Sequence, residues 1–176
     1  KQEILNGIIS ASVSTSSNAL SGALSANIVK GETYALANRG TSINDNATLN
    51  GASSTQSVDV IANDNTTITD LTGTLAASSS NSVGIALGAN VFWKDVKAGI
   101  DGTVKADENV RVMADTVQNL TTLVVGIAGS TGGTTGAGSV GVGLVKSTTF
   151  AEIGSNADIY TGGSVQLHAG GDTDIF

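Results

Sequence analysis

Proton transfer, nucleophilic attack and metal binding each need particular side chains, and this sequence carries few of them. It has one histidine, His168, and no cysteine. A histidine that moves protons needs a partner to orient or relay. His168 instead sits in the slot that Ile61 and Met113 fill in two equivalent segments, which predicts a surface position. No serine stands in a G-x-S-x-G elbow, and there is no second histidine, so a Ser-His-Asp arrangement has no support. The absence of cysteine removes thiolate nucleophiles, thiolate metal sites and disulfides together.

The acidic residues bear closer reading, because clustered carboxylates can hydrolyse or eliminate polysaccharides. Hydrolysis needs two carboxyls about 5 to 9.5 Å apart, and a calcium site needs several oxygen ligands. The candidates are Asp45 between Asn44 and Asn46, Asp64 between Asn63 and Asn65, and the pair Asp172 and Asp174. Each is expected in a Gly/Asn/Thr corner, where Asx residues serve turn geometry, and no GGxGxDxUx calcium repeat is present. The run GSTGGTTGAGSVGVG (129–143) lacks the Gly-Lys-Ser/Thr ending of a phosphate loop and reads as a corner of a repeat. Trp93 aligns with Lys30 and Lys146 and is expected to face outward, where an indole can anchor a partner or a sugar ring. No catalytic, cofactor-binding or metal-ligating residue is assigned on these grounds, and the chain reads as non-enzymatic.

The elements that would position such residues follow from composition. The chain has 176 residues and a net charge of −7, from 8 basic and 15 acidic side chains. It has no proline and is rich in Gly, Ser, Thr and Asn. With 3% aromatics, a core must be built from Val, Ile, Leu and Ala. The acidic balance and the scattered Lys and Arg argue against nucleic acid and against anionic membrane surfaces. The longest weakly polar run, Ser82 to Trp93, is far shorter than the roughly 18 apolar residues of a spanning helix. No direct membrane insertion is therefore expected.

Internal repetition is the strongest signal. SVDVIANDNT (57–66), NVRVMADTVQ (109–118) and SVQLHAGGDT (164–173) are versions of one segment. Their starts recur at about 52 and then about 55 residues, and such a period indicates stacked units. A second marker, NIVKGETYALA (27–37), NVFWKDVKAGI (90–100) and GLVKSTTFAEI (143–153), brings Ala35, Ala98 and Ala151 into register. The units run approximately 1–56, 57–108 and 109–163, with 164–176 beginning a fourth, in a single solenoid. The sequence has the outline of a piece of a longer array.

Each unit opens on a period of two: Val58, Val60, Ala62, then Val110, Val112, Ala114, then Val165, Leu167, Ala169. Alternate strand residues face opposite ways, so these are half-buried strands. The segments that follow, TTITDLTGTLAA (66–77) and NLTTLVVGIAG (119–129), read as strands with low polarity on both faces. Tracts such as SSSNS (78–82) and NDNTT (63–67) read as corners.

The fold class is all-β, as a parallel β-helix with coils of roughly 20 to 25 residues, about two per repeat, or as stacked hairpins. The β-helix is preferred because the hairpin-type pairs Asn6-Gly7, Asn50-Gly51 and Asp101-Gly102 do not recur at equivalent points. Stacking would set Asp59, Arg111 and Gln166 in one outward row and Ile61, Met113 and His168 in another. TSINDNATLNGASSTQ (41–56) in the first unit is expected as an inserted loop.

The recurring pattern of a small-residue strand, VKSTTFAEI (145–153), an acidic or Asn-bearing turn and GSVQLHAGGDT (163–173) resembles a known family. It is similar to the repeats of large bacterial surface-exported proteins, the filamentous-haemagglutinin-like and leukotoxin-like adhesins of the type V secretion class. The likeness is a repeat texture that covers essentially the whole chain. It implies a right-handed parallel β-helical passenger, displayed at the bacterial cell surface or secreted. It also implies adhesion to a receptor or glycan on host or neighbouring bacterial cells, with no cofactor. A monomer whose exposed coil ends could stack end to end is expected. Two other readings stay open: a polysaccharide lyase or hydrolase using clustered Asp on the same scaffold, and a structural spacer of a secreted toxin.

Overall fold

The computed structural model describes residues 2–45 and 55–176. Its described residues form ten strands and no helix. Each coil consists of a long strand, a turn, a second long strand and a short third strand. The coils comprise β1 (Gln2–Ser14), β2 (Ala19–Ala37) and β3 (Ser42–Ile43); β4 (Val58–Ser78), β5 (Ser82–Ile100) and β6 (Thr103–Ala106); and β7 (Val110–Ser130), β8 (Thr135–Ile153) and β9 (Asp158–Thr161). β10 (Val165–Ile175) opens the next coil.

All pairing is parallel and runs between equivalent strands of successive coils. Three sheets result, ordered β1-β4-β7-β10, β2-β5-β8 and β3-β6-β9. This is a parallel β-solenoid, and the stacked-hairpin alternative falls away, since hairpins would pair antiparallel. The sequence markers are the register itself: Val58 pairs Val110 and Val110 pairs Val165, while Ala35, Ala98 and Ala151 form one row.

The coil size differs from expectation. One repeat makes one coil rather than two, because the segments read as separate coils are single long strands of 19 to 21 residues. NDNTT (63–67) is the middle of β4 and not a corner. SSSNS does contain the turn between β4 and β5. In the Gly-rich run, residues 131–134 turn, whereas 135–143 are strand. Asn6-Gly7 lies within β1 and Asp101-Gly102 joins β5 to β6, while Asn50-Gly51 lies outside the described residues. The first coil does carry extra chain: 44–57 links β3 to β4 where 107–109 links β6 to β7. Residues 46–54 of that stretch, including Asn46, lie outside the described residues.

The two long sheets face each other, and the short third sheet closes one end, the base of the cross-section. There Val58, Val60, Val96, Ile100, Val104, Val110 and Val112 pack with small alanines into an apolar core. Further from the base, Phe92, Ile68, Leu120 and Val29 form a second apolar layer. Beyond it, towards the β4–β5 turn, lies the arch formed by the two long strands, where most inward residues are small or polar. They include Asp70, Thr72, Thr74, Ala76 and Ser78 on β4 and Ser82, Ala86 and Asn90 on β5.

Close approach of the sheets explains this. A Cβ added to Gly84 would stand 2.7 Å from the Ile127 carbonyl oxygen, and one on Gly126 would stand 2.6 Å from that of Gly138. Glycine is required where backbones come this near; the larger inward side chains Ile8 and Val124 share the row of Thr72, where Val124 faces Gly88 and Gly141.

Candidate functional site

The outward rows of the base half are charged and stacked. Arg111 donates from Nε and Nη2 to the two oxygens of Asp59 at 2.7 Å each, a bidentate geometry. Asp59 holds the Arg111 guanidinium above its ordinary value by hydrogen bonding and charge. Lys97 pairs with Glu152 at 2.5 Å, and Lys105 pairs with Asp45 at 2.8 Å. His168 lies in the row of Ile61 and Met113, exposed, with Nε2 3.3 Å from Asp115.

The acidic candidates are thereby separated. Asp45 is engaged by Lys105, whose hydrogen bond, with one from Ser42 and the lysine charge, holds its carboxyl below the usual range. Asp172 and Asp174 lie on β10, beside Val117 and Asn119. Asp64 is not in a corner at all: it points into the coil and pairs with the buried Lys94 at 3.2 Å. Among the described residues no three His, Asp or Glu side chains gather at metal-binding spacing.

Asp64 is a perturbed, largely interior carboxylate. Desolvation pushes its pKa up, but hydrogen bonds from Thr66 (2.7 Å), Lys94 (3.2 Å) and Thr33 (3.3 Å), with the lysine charge, outweigh that and leave it below the ordinary value. A depressed folded-state pKa contributes stability that is present above the unfolded value, about 3.9, and lost as pH falls through the folded value. The melting temperature is therefore expected to fall on acidification below about pH 4. Asp64→Asn should flatten that fall in calorimetric scans; an unchanged acid limb would show that the Asp64 and Lys94 pair is not its source.

Sequence reasoning missed an interior ladder in the arch. Asn6 donates to Ser25 (2.8 Å) and Asn27 (3.0 Å), and Asn27 donates to Asn90 (2.8 Å). Asn90 donates to Asp70 (3.1 Å) and Thr122 (2.8 Å), while Ser25 donates to Asp70 (2.8 Å). The ladder crosses between the long sheets and runs up the stack. Its one visible signal was that Asn27 and Asn90 are spaced as Ala35 and Ala98 are.

The outward side of the arch is inverted relative to the base. On β4, Leu71, Gly73, Leu75 and Ala77 face out while their neighbours Asp70, Thr72 and Thr74 are buried. On β5, Val83, Ile85 and Leu87 face out, each about two-fifths exposed or more. Leu5, Ile9, Val13, Leu20, Leu24 and Ile28 continue the surface on one neighbouring coil, and Leu123, Ile127, Val140, Val142 and Leu144 on the other.

Where this apolar surface meets the charged half stands Trp93, in register with Lys30 and Lys146 as its sequence alignment indicates. Their Nζ atoms lie 4.5 and 5.5 Å from the ring centroid, within cation–π range. An open groove of about 600 Å³ runs beside them, bordered also by Glu32, Asp95 and Thr148. Tyr34 nearby donates to Asp95 at 3.2 Å. Desolvation, then the charges of Asp95 and Glu32, raise its hydroxyl above the ordinary value. The groove offers an aromatic face between two cations, an arrangement suited to binding.

No protein-family description, curated protein or solved structure matches this chain.

Proposed function

We propose that this chain is a non-enzymatic segment of a bacterial surface-exposed or secreted adhesin, acting as an elongated stalk or as a cell-binding surface. The observation that carries this reading is the uninterrupted in-register stack, in which each strand of one coil pairs with its equivalent in the next. A solenoid of this kind lengthens by adding coils that need only their neighbours for stability, which suits a rod that reaches away from a cell. The stacked outward rows present extended surfaces, and the exposed Trp93 between two lysines gives one of them a binding anchor. A receptor or glycan on host or bacterial cells is the partner class this reading implies.

The test is saturation binding of the labelled monomeric chain to intact epithelial and bacterial cells. Saturable attachment that excess unlabelled chain displaces, and that Trp93→Ala weakens at least tenfold, is the expected result. A folded chain that shows no saturable attachment to either cell type would overturn the cell-binding role.

A further inference from the structure

Charge is nearly absent from the arch of every coil. Residues 4–29, 67–93 and 119–145 contain one charged residue between them, Asp70, and it is fully buried. The outward positions 69–77 and 83–91, with their register partners in the coils on either side, are Leu, Ile, Val, Ala or Gly except for Thr69 and Thr121. The inward positions of the same strands carry the Asn, Asp, Ser and Thr ladder. Water-facing sheets show the opposite polarity, apolar in and polar out.

We propose that this arch seats in the hydrocarbon core of a lipid bilayer. Four observations favour acyl chains over a protein partner. The apolar surface covers both long sheets, so a single flat partner would leave one face in water, whereas a fluid phase covers both. Each apolar stretch is nine residues long, about 30 Å at 3.3 Å per residue, which matches the hydrocarbon thickness and the length of a membrane-crossing strand. The border of the apolar surface carries Trp93 with Lys30 and Lys146 in one row. Aromatic rings favour the headgroup level, and the ammonium groups complement lipid phosphates there. Finally, Asp70, Asn90, Asn27 and Ser25 are hydrogen-bonded to one another inside the arch, which lowers the cost of holding them away from water, and of the arch's side chains Thr74 alone is buried without a partner among the described residues.

The arch turns around Ser79, Ser80 and Asn81 would then reach the far headgroup region. The outer edges of the end coils need strand partners in hydrocarbon, which end-to-end stacking supplies. This departs from the expectation of no direct membrane insertion. That expectation rests on windows suited to helices, which a period-two pattern of Leu and Thr does not trigger.

The inference stands apart from the adhesin reading, because protein-free vesicles test one and intact cells the other. Trp93 is the sole tryptophan and serves as the probe. The chain is titrated with phosphatidylcholine vesicles at low and high salt, using lipids brominated near the headgroup or near the chain end. A blue shift of emission, little dependence on salt and stronger quenching by the shallow bromines are expected. Leu87→Lys, outward at mid-arch, should weaken partitioning about 30-fold or more, as a lysine at membrane mid-depth does. Ile61→Lys, outward in the base half, should leave it unchanged. Both variants are first shown to be folded by circular dichroism.

Absence of partitioning, or equal partitioning of the two variants, would overturn the proposal. So would a sheet-to-sheet dimer in sedimentation that Leu87→Lys dissolves while vesicles bind nothing, which would assign the surface to a second copy. Cell attachment without vesicle partitioning would overturn this inference and leave the adhesin reading standing.

Discussion

Asp70→Ala is expected to lower the unfolding free energy by about 2 to 5 kcal/mol, because it orphans several buried hydrogen-bond donors at once. Asp70 is fully buried and accepts from Ser25 (2.8 Å), Asn90 (3.1 Å) and Thr72 (3.3 Å). Truncation leaves those buried donors without their acceptor, and each orphaned group costs about 1 to 3 kcal/mol. Ser25 belongs to β2, Thr72 to β4 and Asn90 to β5, so the loss loosens the join between the long sheets and between coils at once. Asp70→Asn keeps the volume and part of the hydrogen bonding and should cost about half as much. Urea unfolding of the three proteins measures this. An Asp70→Ala stability within about 1 kcal/mol of the parent would show that the ladder contributes little. Hydrogen exchange should place the new fast-exchanging amides in the arch and not in the base.

Phe92→Ala should have an effect of the same size for a different reason. Phe92 is fully buried, stacked between Val29 and Val145 in neighbouring coils and packed with Ile68 and Leu120 of the facing sheet. Losing a buried phenyl ring costs about 3 to 5 kcal/mol, the upper part applying where the surroundings cannot collapse. Collapse is hindered here, because the layer is held on one side by the Lys94 and Asp64 pair and on the other by the Asp70 ladder. Phe92→Leu, which keeps most of the volume, should cost less than about 1.5 kcal/mol. Equal losses for Ala and Leu in urea unfolding would mean that the ring's shape matters more than the space it fills.

The repeat markers were legible because each one is a row of the final structure. Val58, Val110 and Val165 are adjacent along the stack, so their shared environment calls for similar residues at a regular interval. Trp93 against Lys30 and Lys146 was readable for the same reason. Coil size was not readable. A long strand that changes from an apolar to a polar interior halfway along looks like two strands separated by a turn, and NDNTT supplied a convincing false turn. Asp64 went astray with it, since only the position of Lys94 on the facing sheet makes an inward carboxylate tolerable there.

By itself the sequence determined that the chain is built of strands and that its units stack at a regular interval, because period-two alternation and a repeated spacing are properties of the chain alone. It also determined which residues share a face, since alternate residues of a strand always do. Which of the two faces turns inward was decided by tertiary structure. At the base the third sheet props the long sheets apart, and Val and Ile fill the space between them. In the arch Gly84 and Gly126 bring the backbones too close for such side chains, so Ser, Thr, Asn and Asp pair inside and most of the Leu, Ile and Val are turned out.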